Sequence, residues 1–150
     1  MKDLFLTENK NEIFSRIDRL NSDTQRQWGK MDVAQMLAHC CFPLEHAVGT
    51  LKSQPTGFVK RLLGKMVKGM ATTPKPFKRD LPTDPTFVVA TPQDFEAQKG
   101  RLKNAITNFV NAGGAKVSEF PHPFFGKLTG AEWSNLMYKH LDHHLSQFGV

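Results

Sequence analysis

Apolar residues recur with a helical period in four stretches of this chain, and turn-forming residues separate the stretches. The first predicts a helix from about Glu8 to Leu20, with Ile13, Phe14, Ile17 and Leu20 on one face. The second predicts a helix from Val33 to Leu51. Asp32 and Gln35 form a capping box at its start, and Val33, Met36, Leu37, Cys40, Leu44, Ala47, Val48 and Leu51 make its inner stripe. Pro43 lies inside this helix and removes the hydrogen bond to the carbonyl of His39, so a kink is expected there. The third helix begins at Thr91-Pro92, turns Phe95, Leu102, Ile106, Phe109 and Val110 inward, and ends at Gly113-Gly114. The fourth opens on a second capping box, Thr129 with Glu132, and runs to about Phe148.

About forty residues separate the second helix from the third. Short loops make neighbouring helices antiparallel, whereas a connection this long permits a crossover that leaves the two parallel. Within it, Phe87-Val88-Val89 reads as a short extended piece. The expected fold is all-α: a four-helix bundle with a long crossover between helices 2 and 3, one domain over residues 1–150.

Composition narrows the setting. No apolar run approaches the length of a membrane span. The opening Met1-Lys2-Asp3-Leu4-Phe5-Leu6 carries an acid and no long apolar stretch, so it makes a poor signal peptide and a cytoplasmic protein is expected. The only cysteines, Cys40 and Cys41, are adjacent, and neighbours close a disulfide only with strain. They read as reduced thiols in or near the core.

The net charge of +6 is concentrated in the middle of the chain. There Phe58, Val59, Leu62, Leu63, Met66, Val67 and Met70 occupy one half of a helical wheel, and Lys60, Arg61, Lys65 and Lys68 the other. Such a segment can lie on an anionic membrane or meet a partner helix. It can equally cover the bundle end with its lysines in water, where a cationic rim attracts a small anionic molecule. One tyrosine and no nucleic-acid motif make nucleic acid an unexpected partner.

The candidate chemistry lies in the histidines. His140 and His144 stand four apart, so they stack on one helical face, flanked on that arc by Trp133, Met137, Leu141 and Phe148. Two imidazoles turned into a bundle need polar partners, and one divalent metal bound to both supplies them. A hydrogen-bonded core pair gives the same spacing. The candidate third ligand is His39, which lies about 120° from the centre of its helix's apolar stripe and should sit at a flank. His143 is a spare ligand, a substrate contact or simply exposed. Gln147, close to the same arc, is a candidate for orienting a ligand imidazole. His122, between two prolines, is a candidate substrate contact or a loop anchor. His46 is a weaker ligand candidate that reads as a surface residue. Asp142 reads as solvated.

These residues also carry a resemblance. Trp28-Gly-Lys-Met-Asp-Val-Ala-Gln-Met-Leu-Ala-His39 resembles the segment that places the first metal histidine of the DinB/YfiT-like superfamily. His140-x-x-x-His144 with Gln147-Phe148 resembles its C-terminal metal pair. The run His122-Pro-Phe-Phe-Gly126-Lys-Leu-Thr-x-x-x-Trp133 resembles a branch of unassigned function. The resemblance implies a metal-binding bundle with His39, His140 and His144 as ligands, zinc or nickel as the ion, and a homodimer as a plausible assembly. Some members of the superfamily are transferases or isomerases that use a low-molecular-weight thiol. The expected function is therefore that of a divalent-metal protein, either a thiol-dependent transferase or a non-catalytic structural or regulatory metal protein. A basic module for nucleic acid or membrane is the remaining alternative.

Overall fold

The structure, a computed structural model, describes residues 2–52, 62, 64, 66, 68, 69, 73, 75–79 and 87–150. It is all-helical, with four helices and no strand among these residues: α1 (Thr7–Asp18), α2 (Val33–Ala47), α3 (Phe95–Val117) and α4 (Gly130–Gln147). None of them is long and apolar enough to cross a membrane.

Both expected capping boxes form. Asp32 accepts from the Gln35 amide while Gln35 accepts from Asp32, and Thr129 and Glu132 do the same at the head of α4. α2 carries on through Pro43 but stops at Ala47, short of the expected Leu51. Gly49 turns left-handed there (φ +77°), and a Cβ on it would strike the Phe120 ring at 2.4 Å. α3 starts later than Thr91-Pro92, because Asp94 provides the cap, its side chain accepting from the Ala97 amide at 2.7 Å. Gly113 interrupts it as expected (φ +73°), but helical backbone resumes to Val117. The stretch Phe87-Val88-Val89 forms no strand. Val89 is buried and Val88 is 52% exposed.

The core joins all four helices. Ile13 and Ile17 of α1, Met36, Leu37 and Leu44 of α2, Leu102, Ile106 and Phe109 of α3, and Trp133, Met137 and Leu141 of α4 are fully or almost fully buried. Cys40 and Cys41 are unpaired thiols within it, and burial drives both thiols up, Cys41 to about 12. Packing explains them, and neither is poised as a nucleophile. Asp142 is more than a solvated surface group. Arg16 of α1 donates to its carboxylate at 2.6 Å, to Ser146 Oγ at 3.0 Å and to the Val150 carbonyl, which ties α1 to the end of α4.

Of the basic amphipathic segment, Phe58, Val59, Lys60, Arg61, Leu63, Lys65, Val67 and Met70 lie outside the described residues. Leu62 and Met66 are 54% and 77% exposed and so do not cover the bundle. The close approach belongs to Gly64, where a Cβ would come within 2.0 Å of the Phe124 carbonyl oxygen. Lys68 pairs with Glu132 at 2.9 Å.

A three-imidazole centre between α2 and α4

α2 and α4 bring His39, His140 and His144 face to face. The ring centroids form a nearly equilateral triangle of 5.0, 4.7 and 4.7 Å. One ring nitrogen from each lies within 4.8 Å of those of the other two, a spacing that could hold a metal ion. His39 and His144 are buried, and His140 keeps some exposure as a residue although its Nδ1 is buried. His39 is deeper than its wheel position implies. The chain ahead of α3 closes over that flank and puts the Phe87 carbonyl 2.9 Å from His39 Nδ1.

The neighbours fix which nitrogens can face an ion. A carbonyl only accepts, so His39 Nδ1 carries the hydrogen and donates to Phe87, leaving a lone pair on Nε2. That Nε2 lies 3.1 Å from His140 Nε2. At His144 the argument has one more link. Gln147 Nε2 donates to the Trp28 carbonyl at 2.7 Å, so Gln147 Oε1 faces His144 Nδ1 at 2.9 Å, and Nδ1 must be the donor. His144 Nε2 is then also a lone pair. With two inward lone pairs, His140 Nε2 can donate to one of them and leave the other without a hydrogen. His140 Nδ1 is meanwhile buried with no hydrogen-bond partner. A cation that accepts all three Nε2 lone pairs fits this donor set better than any arrangement of hydrogens.

Burial pushes all three imidazoles below the ordinary 6.5. His144 falls to about 3, with His39 beside it adding to the effect. His140 falls well below, by burial and then by His144 and His39. At His39 the Phe87 carbonyl partly offsets burial. The three are therefore held neutral, the protonation state that ligates. Among the described residues no carboxylate hydrogen-bonds any of them.

The other candidates lie outside the triangle, and of them His143 packs on one of its rings. His143 stays out of the triangle and packs edge-on against His144 (5.1 Å), Trp28 (5.9 Å) and Phe77 (5.9 Å). His122 sits elsewhere, against Trp133 (5.3 Å) and Phe125 (4.6 Å). The Phe124 and Phe125 amides both donate to its Nδ1, and burial holds it neutral at about 3, so His122 anchors the turn closed by the His122–Gly126 backbone pair. His46 is partly buried, with its ring nitrogens at the Leu51 and Pro121 carbonyls (3.3 and 3.0 Å). The sequence pattern gives no sign of Phe87, because a backbone carbonyl leaves no side-chain signature. Phe77 is likewise hidden, since its stretch has no periodicity.

Fold and centre together define an all-helical protein with a three-histidine cluster able to hold a metal ion. The chain belongs to the family described as "Protein of unknown function (DUF1569)", whose model matches residues 2–149. No curated protein and no solved structure matches the chain.

Proposed function

We propose that this is a divalent-metal protein of DinB/YfiT-like architecture, one domain over residues 1–150, that holds a zinc or nickel ion through His39, His140 and His144. We propose further that it is a metal-dependent transferase acting with a low-molecular-weight thiol. The observation that carries the reading is the convergence of three neutral imidazoles from two helices, two of them with the remote N–H already committed to an oxygen.

The crossover of such a bundle is supported by where α2 and α3 touch. Gln35, at the start of α2, reaches the Thr91 carbonyl just ahead of α3. Glu45, near the end of α2, pairs with Arg101 further along α3 at 2.7 Å. Helices that meet start to start and then further along run parallel, which requires the long connection between them.

An ion held by three imidazoles would keep coordination positions for a substrate. His39, His140 and His144 would hold the ion, which would lower the pKa of a coordinated thiol towards neutrality. The chain's own residues do the remaining work. Phe87 and Gln147 aim His39 and His144, and the packed helices exclude water from behind them. Among the described residues no carboxylate hydrogen-bonds the triad, an arrangement that suits a thiol needing no dedicated base.

Elemental analysis of the purified protein beside its His140→Ala variant tests the binding. The parent should carry about one equivalent of metal and the variant far less. Equal content in the two overturns the reading. Reaction rates with several thiols and a model electrophile, before and after chelation, test the chemistry. Unchanged rates refute the transferase and leave a non-catalytic metal protein.

A further inference from the structure

Beside the triad, five side chains form a layer built of aromatic faces and cations. His143, whose ring packs on His144, is flanked by Trp28 and Phe77. The Arg79 guanidinium lies 4.3 Å from the Trp28 ring centre, and Lys139 Nζ lies 4.3 Å from the Phe77 ring centre. Lys139 directly precedes His140 of the triad.

Two cations, Arg79 and Lys139, stand over rings of this layer. A guanidinium held over an indole ring by cation–π attraction keeps its N–H groups for other partners, and a guanidinium edge takes a carboxylate through two parallel bonds. Among the described residues no carboxylate pairs with Arg79. Trp28 Nε1–H, under the same guanidinium, is buried and has no acceptor. A buried donor without a partner is costly, so the site is complementary to a group that brings oxygens and negative charge.

We propose that Arg79, stacked on Trp28, is the anchor of a carboxylate subsite beside the three-imidazole centre, so that the ligand is a small organic acid held by its carboxylate at Arg79 with its reactive end towards His140. This deepens the metal reading and takes from it only which end of the ligand faces the triad. The subsite itself stands on the contacts of Arg79 and Trp28. Lys139 adds positive charge on the His140 side and steers the acid inward.

Two titrations test it separately from the metal. In the first, succinate is added to metal-free protein while indole emission is followed. The chain has two tryptophans, and Trp28→Phe identifies the share that belongs to the subsite. Succinate should shift the emission of the parent and leave Arg79→Met, in which the exposed charge is lost, unchanged. Equal responses in parent and Arg79→Met, or no response in the parent, overturn the subsite. In the second, cobalt-loaded protein is titrated with mercaptosuccinate and with 2-mercaptoethanol while its absorption is followed. Arg79→Met should weaken mercaptosuccinate by about tenfold or more and 2-mercaptoethanol hardly at all, because only the former carries the carboxylates that charge-assisted bonds recognise. Equal weakening of both thiols overturns the carboxylate role. Failure of the parent to take up cobalt counts against the metal centre, and the succinate titration still decides the subsite.

Discussion

An imidazole that is to bind an ion needs its far nitrogen held, or the ring wags and the lone pair wanders. At His144 that hold is Gln147, whose amide is in turn pinned by the Trp28 carbonyl. The residue after Trp28 matters for a different reason. Gly29 has φ +81°, and a Cβ there would come within 2.3 Å of Gln147 Nε2. A side chain at position 29 would therefore displace the amide that orients the ligand. Gln147→Ala and Gly29→Ala should each weaken metal binding by about ten- to a hundredfold, the usual cost of losing an orienting partner. Competition with a chromophoric chelator measures it, and wild-type affinity in Gln147→Ala would mean the amide does not hold the ring. At this scale the candidate ligands were legible from spacing and resemblance alone. The 3.6-residue period puts His140 and His144 on one face whatever surrounds them. Their partners were only half legible, since Gln147 is a side chain on the same helix while the Phe87 and Trp28 carbonyls arrive from elsewhere.

At the scale of elements, the capping boxes and apolar stripes fix where helices begin and which face turns inward, and the tertiary contacts fix where they stop. α3 is the instructive case. Gly113 breaks it with φ +73° and has nothing within 4 Å of a would-be Cβ, so its role is conformational and not steric. The next glycine works the other way: a Cβ on Gly130 of α4 would sit 2.4 Å from Gly114 Cα, so the two backbones touch there. Gly113→Ala should cost about 1–3 kcal/mol, because φ +73° with ψ 167° is a backbone conformation essentially confined to glycine. The urea midpoint should fall by a corresponding amount with an unchanged slope. An unaltered midpoint would show that the chain re-routes freely at this point. The helical pattern identified both glycines as a stop but gave no means of telling strain from close approach, because the partner of Gly114 lies in another helix.

For the molecule as a whole, the buried histidines set a pH dependence. In an unfolded chain each takes up a proton near 6.5, whereas in the folded, metal-free protein burial delays this to about 3 at His122 and at His144. Between those values the unfolded chain holds more protons, so acidification favours unfolding. Stability is full above about 6.5 and is lost progressively as pH falls towards 3. Thermal melts of metal-free protein should show a falling midpoint already between pH 6.5 and 5, above the range where most carboxylates titrate. A flat midpoint across that interval would contradict the neutral, buried state of these rings. Metal bound to the folded protein alone should raise the midpoint.

What the sequence determined by itself was local: four amphipathic helices, the residues that start them, and imidazoles on the inward arc of α4. Periodicity and capping depend on neighbours within a turn or two, so they can be read from the chain one stretch at a time. Only the tertiary structure decided that His39, a flank position on its own wheel, faces the pair on α4. It does so because the chain ahead of α3 folds over it and offers the Phe87 carbonyl. It alone also set Gln147 against Trp28, and Arg79 over the Trp28 ring beside the centre. Contacts of this kind join residues far apart in the chain, often through backbone atoms, and no local pattern of side chains encodes them.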